Sequence, residues 1–282
     1  MIKTDVLGSW IAHAESGEGP AVVFLHGNPT SSYLWRDVLP HVGGVRCLVP
    51  DLIGVGESGK PAIEYRFDEQ ARYLAAWLDA VVPGEVVLVG HDWGGALAQD
   101  WAARGGSARL RGLALIETFL RPVPSAELDP RAVEMFRAVR EPGVGEQMIL
   151  QDNVLIDRNF RRLVPGMSEE DLDVYRAAYP EPEARRAILA WAREFPLDGE
   201  PARVAARIDA YGRWMRDSGD VPKLLMTVSP ATGLGSPEAV AWARDNVSAL
   251  RIEDVGESGH QAPEQVPAAI GRAVARWLEG LR

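Results

Sequence analysis

The chain has 282 residues, 46% of them hydrophobic and 25% charged, with a formal net charge of −10. This is the composition of a soluble globular protein large enough to bury its own core. The negative charge argues against nucleic acid or an anionic membrane as partner, since both require basic patches. No apolar run approaches the roughly 20 residues of a membrane span. The opening residues, MIKTDVLGSWIAHAESGEG, lack the apolar stretch of a signal peptide, so a cytoplasmic location is expected. The single cysteine, Cys47, has no intrachain disulfide partner and reads as a small buried strand residue.

In chain order, Trp10–Ala14 reads as an antiparallel edge strand. Residues 21–25, 45–49, 85–89 and 113–116 are short apolar runs closed by turn chemistry, as strands of a parallel sheet buried on both faces require. Between them, Phe67, Ala71, Leu74, Leu78 and Val81 repeat at helical spacing. The pattern breaks at 123–215, a stretch without a clear strand, rich in Arg, Glu and Ala and punctuated by prolines. It predicts several helices inserted into the sheet. Residues 222–228 and 250–255 resume the strands. A closing helix carries Val266, Ile270, Val274, Trp277 and Leu281 on one face. The expected fold class is α/β: a mostly parallel, doubly wound sheet formed by 1–122 and 216–282, with a helical cap at 123–215. Sites in such sheets lie beyond the carboxyl ends of the strands, where this insertion leaves and returns.

Three segments at those ends carry chemistry. Gly90-His91-Asp92-Trp93-Gly94 follows an apolar strand and fits the pattern G-x-nucleophile-x-G, a sharp strand-to-helix turn that exposes its middle side chain. Aspartate also serves well as a helix N-cap, so these five residues alone leave both roles open. His26-Gly27-Asn28-Pro29 follows the 21–25 strand, where a loop can supply one oxyanion-hole N–H while the residue after the nucleophile, Trp93, supplies the other. Gly259-His260 follows the last strand. Among the five histidines, His260 is the base candidate by chain order; His13 and His41 lack a chemical context, and His26 and His91 read as structural. No carboxylate follows the 222–228 strand directly, whereas Glu117 follows the 113–116 strand. Glu117 is therefore the candidate acid, its alternative being a solvated loop residue.

On these residues the chain resembles the haloalkane dehalogenases of the α/β-hydrolase superfamily. HGNPTSSYLWR, DLIGVGESGKP, GHDWGGALAQDW, ESGHQAPEQVP and the cap segment LQDNVLIDRNF are all similar to that family's segments. Glu117 after the sixth strand looks like the subfamily with an Asp–His–Glu triad and an Asn–Trp halide pair. The resemblance implies Asp92 as nucleophile, His260 as base, Glu117 as acid, and Asn28 and Trp93 as halide ligands. It implies small apolar halogenated substrates and a halide ion as ligands, and neither metal nor organic cofactor. Phe136, Leu155 and Phe195 match cap positions that look like pocket walls, although helix packing accounts for them equally well. SPATGLG, after the seventh strand, departs from the family pattern and leaves the pocket wall there undefined.

The chemistry is consistent with these assignments. A carboxylate can displace halide from an sp³ carbon in one step and leave an ester. A serine alkoxide would leave an ether that water does not readily cleave. Trp93 also has a core-packing reading, and Asn28 a turn reading before Pro29. An epoxide hydrolase is the nearest alternative, with Tyr175, Tyr179 and Tyr211 available in the cap to protonate an epoxide oxygen. Against it stand Asn28, where that family usually has an aromatic, and the position of Glu117. A coelenterazine-type luciferase and a non-catalytic ligand receptor complete the alternatives. Natural substrate and oligomeric state are not readable from the sequence.

Overall fold

The computed structural model describes residues 1–230 and 233–281. Eight strands form one sheet in the order β1-β2-β4-β3-β5-β6-β7-β8. They are β1 (Ile2–Val6), β2 (Ser9–Ser16), β3 (Ala21–Leu25), β4 (Arg46–Pro50), β5 (Val86–His91), β6 (Leu110–Ile116), β7 (Lys223–Ser229) and β8 (Leu250–Glu257). From β4 onward along the sheet all pairings are parallel; β1 with β2 and β2 with β4 are antiparallel. The strand around Trp10–Ala14 is therefore not at the edge. It is the second strand of a hairpin, and β1 lies outside it. Leu7 and Gly8 turn this hairpin with φ of 50° and 77°, the left-handed pair that a two-residue hairpin loop requires.

Alternation along the strands sends side chains to two apolar layers. Val22 and Phe24 of β3, Val87 and Val89 of β5, and Ala114 and Ile116 of β6 share one layer with Trp35 and the closing helix. Val23 and Leu25, Leu88, and Leu113 and Leu115 point into the other. Burial on both faces is why these strands read as continuous apolar runs. The helices flanking the sheet include α1 (Phe67–Val81) and α2 (Trp93–Ala103).

After residue 123 come helices α3 (Pro130–Arg140), α4 (Glu169–Ala177), α5 (Arg186–Glu194) and α6 (Ala202–Asp217), with π-helical stretches at Gln147–Gln151 and Leu155–Phe160; α6 runs two residues past the boundary at 215 expected from the sequence. Helices α7 (Pro237–Asn246) and α8 (Pro267–Glu279) follow the return to the sheet; α7 was not anticipated from the sequence. Ile270, Val274 and Trp277 of α8 are buried, with Val266 and Leu281 packed beside them. The inserted segment meets the loops that follow the strands. The Tyr179 hydroxyl donates to Thr30 O after β3, and the Tyr211 hydroxyl to Phe119 O after β6. Gly56 N, after β4, donates to Ala178 O. Its apolar residues, among them Ile156, Phe160, Ile188 and Trp191, join the same cluster as Val23, Leu25 and Leu88 of the sheet. No helix of the described residues is long and apolar enough to cross a membrane.

Candidate active site

Asp92 stands between β5 and α2 with φ 51° and ψ −126°, a conformation that non-glycine residues rarely adopt. It does not cap the helix with its side chain. The turn is held from both sides: Asp92 N donates to Glu117 O at 3.1 Å, and the Thr118 hydroxyl donates to Asp92 O at 2.6 Å. The glycines are there for space. A Cβ on Gly90 would lie 2.4 Å from Gly95 Cα, and one on Gly94 2.3 Å from Leu25 O. A Cβ on Gly27 would lie 2.2 Å from Asp92 Oδ1, so only glycine lets the β3 loop close over the carboxylate.

That loop brings Asn28 N to 2.8 Å from Asp92 Oδ1, and Trp93 N also donates to this carboxylate. The two backbone donors named from the sequence thus converge on one group. His260 Nε2 lies 3.6 Å from Asp92 Oδ2, and its Nδ1 lies 3.2 Å from Glu117 Oε2. Glu117 is buried and has φ 44°, a second strained backbone position at the same strand ends. Asp92 is 7% exposed at its side chain, His260 23%. Burial raises the Asp92 pKa above the ordinary aspartate value, although His260 and the two N–H donors pull it down. Burial also disfavours the charge on His260. The Glu117 hydrogen bond and the negative charges of Asp92 and Glu117 outweigh it, and the pKa moves up.

His26 and His91 are wholly buried. His26 Nε2 accepts from Leu52 N at 3.0 Å, tying β3 to the segment after β4. His91 Nε2 bonds to His260 O at 2.8 Å, and the two rings lie 5.0 Å apart. Burial and the neighbouring His260 hold the His91 pKa well below the ordinary value, so His91 supports the His260 loop as a neutral ring. That contact was invisible in the sequence, because the partner atom is a backbone carbonyl 169 residues away.

The Trp93 ring is set by Phe119 at 4.5 Å, Trp191 at 4.7 Å and Phe67 at 5.7 Å between centroids. Phe119 continues to Phe195 at 5.3 Å, and Phe195 stacks on Phe136 at 3.8 Å. Two of the three cap residues singled out from the sequence therefore join an aromatic chain that ends at Trp93. Leu155 is buried in the same cluster at the start of a π-helical stretch. Asn28 Nδ2 makes only a long contact, 3.4 Å, to Ile188 O in α5, and Asn28 Oδ1 is buried without a partner among the described residues. In the loop SPATGLG, Ala231 and Thr232 lie outside the described residues. A Cβ on Gly235 would sit 2.2 Å from Glu117 Oε1, so this loop packs against the acid.

Residues 20–160 match the family model for the alpha/beta hydrolase fold. A haloalkane dehalogenase from Mesorhizobium japonicum is 44% identical over 279 residues, 97% of this chain and 89% of that protein. One from Agrobacterium fabrum is 40% identical, covering 96% and 89%. The chain belongs to the haloalkane dehalogenase family. The solved haloalkane dehalogenase DatA from Agrobacterium tumefaciens C58 superposes with a TM-score of 0.96 at 38% identity, covering 100% of this chain and 96% of DatA. A putative ancestral haloalkane dehalogenase gives 0.93 at 44% identity, covering 100% and 99%. Within this family setting, the cap tyrosines that an epoxide-opening reaction would use are committed elsewhere. Tyr175 bonds to Glu264, Tyr179 to Thr30 O and Tyr211 to Phe119 O. Among the described residues no cluster of His, Cys, Asp and Glu has the grouping of a metal site.

Proposed function

We propose that the chain hydrolyses haloalkanes to an alcohol, a halide ion and a proton, with Asp92 as nucleophile. The observation that carries this reading is the position of Asp92. A carboxylate, not a hydroxyl, stands at the strained strand-to-helix turn, faced by two backbone N–H groups and by His260.

Asp92 Oδ1 is occupied by Asn28 N–H, which leaves Oδ2 to attack the halogen-bearing carbon. The new C–O bond forms as the carbon–halogen bond breaks, and the halide departs with the bonding pair. The Trp93 indole N–H and the Asn28 amide are neutral donors, able to hold the halide without trapping it. The product is an alkyl ester of Asp92. His260 Nε2 then takes a proton from water, and the hydroxide adds to the ester carbonyl. The Asn28 and Trp93 backbone N–H groups hold the developing oxyanion, and Glu117 stabilises the imidazolium. Collapse expels the alcohol and regenerates the carboxylate, with one proton released to solvent.

Alkylation also changes the base. The Asp92 charge is one of the causes that raise the His260 pKa. Esterification removes that charge, so His260 becomes easier to deprotonate at the stage where it must accept a proton. Residues 123–215 act as the cap, with Phe136, Phe195 and Leu155 lining the apolar pocket.

The test is halide release from 1-bromobutane by the wild type, Asp92→Ala and His260→Phe. Asp92→Ala is expected to lose about four orders of magnitude or more in rate. His260→Phe should release about one bromide per chain and retain a butyl group on Asp92, seen as added mass on the peptide. Sustained bromide turnover by Asp92→Ala would overturn the mechanism. So would a wild type that opens styrene oxide but releases no bromide.

A further inference from the structure

Glu194, the last residue of α5, is 3% exposed, and no step of the proposed reaction uses it. A buried carboxylate is costly unless its oxygens are bonded. Here they are. Oε2 accepts from Phe67 N at 2.8 Å and from Arg203 Nη1 at 2.8 Å, and the other guanidinium nitrogen of Arg203 closes on Oε1. The carboxylate therefore joins the end of α5 to the first residue of α1 and to α6.

The elements that meet at Glu194 are those that fix both halide donors. From α5, the Trp191 ring packs on Trp93 and Ile188 O lies against Asn28 Nδ2. From α1, the Phe67 ring packs on Trp93. The Arg207 guanidinium of α6 lies 5.3 Å from the Phe67 ring centroid and pairs with Asp100, on the same helix as Trp93. Hydrogen bonds to an anion weaken steeply with distance and angle. Two donors on separate elements can meet one halide ion only if those elements keep their spacing.

We infer that Glu194 is a positioning residue of the halide site, acting through Phe67 and α5 to hold the Trp93 indole and the Asn28 amide on a common point. This rests on Asn28 and Trp93 being the halide donors.

The experiment measures the inhibition constant of bromide in hydrolysis of 1-bromobutane, together with the melting temperature. The constant does not depend on the fraction of chains folded, so a merely structural role leaves it unmoved. Glu194→Ala is expected to raise it by about fivefold or more, the loss of a charged acceptor's hold on its donor. Glu194→Gln keeps an oxygen for Phe67 N and should stay within about twofold of wild type. Phe67→Leu keeps the backbone bond, removes the ring, and should also weaken bromide. It decides the matter if Glu194→Ala does not fold. An unchanged constant in Glu194→Ala or Phe67→Leu, whatever the melting temperature, overturns the inference, as does a Gln variant as weak as the Ala variant. A wild type that releases no bromide defeats the proposed function itself, a result distinct from variants that match an active wild type.

Discussion

Asp92 is held in two costly ways at once: a backbone conformation that favours glycine, and burial that disfavours its charge. Both costs follow from placing a carboxylate at a tight, buried strand-to-helix turn, and the Asn28 and Trp93 N–H groups offset part of the second. The pH dependence of Asp92 follows from its raised pKa. Attack needs the ionised form, and the raised pKa means that form is lost at a higher pH than for an exposed aspartate. kcat/KM should therefore fall as pH drops, through a limb above the usual aspartate range near 4. The same raised pKa means that protonation of Asp92 favours the fold at low pH, and this contribution disappears as pH rises through the folded value. The second step also loses rate as pH drops, but its limb moves to lower pH when the ester forms. The neutral form of His260 is needed, and ester formation removes one cause of its elevation. Single-turnover decay of the ester should retain its rate to a lower pH than the His260 titration of the free chain, followed by NMR. A decay limb at or above that titration would contradict the account.

At the scale of elements, the turn from β5 to α2 works because α2 starts in contact with the β3 backbone. Gly94→Ala places a methyl against Leu25 O and His26 O, which are backbone atoms and cannot swing aside. Helix α2 must then move, taking Trp93 with it. The variant should lose about 1–3 kcal/mol of stability in urea unfolding, and kcat/KM should fall by about a hundredfold, as for misplaced reacting groups. Full activity would mean that the turn tolerates a wider approach. The geometry of this turn is readable in the sequence, since G-x-D-x-G after an apolar run states where glycine is needed, while the role of Asp92 is left open by those five residues alone. The parallel strands were readable for the same reason: burial on both faces leaves an unbroken apolar signature. β1 was not, because IKTDV is mostly exposed and its turn uses Leu7, an unusual residue at positive φ. Helix α7 had no strong apolar stripe; its buried residues are the small Ala239 and Ala243. The position of Glu117 at a strand end is legible in the same way, and the structure brings it to 3.2 Å from His260 Nδ1. The supports of the site, Thr118 on Asp92 O and His91 on His260 O, bond to carbonyls and leave no trace in a residue pattern.

At the scale of the whole molecule, the inserted segment is fastened near His260 as well as near Asn28 and Trp93. Arg36 pairs with Glu264, four residues beyond His260, and with Asp171 on α4; Tyr175 of α4 also bonds to Glu264. The Glu264 side chain is 3% exposed. Arg36→Ala would strip this carboxylate of its cation and should cost about 3–5 kcal/mol in denaturant unfolding. Asp37→Ala, which removes a 62% exposed partner of the same arginine, should cost less than about 1 kcal/mol. Equal effects would show that burial does not set the worth of these pairs. The apolar layer has a further consequence, because the insertion and one face of the sheet share a single continuous cluster. Phe136, Leu155 and Phe195, the side chains proposed to line the pocket, and the side chains of the sheet that hold the chain folded belong to one packed mass. A mutation that trims one of these three side chains to admit a bulkier molecule therefore also removes cohesion from the whole chain. Changes of substrate range in this lineage should arise in pairs, the second substitution restoring the melting point that the first one lowered.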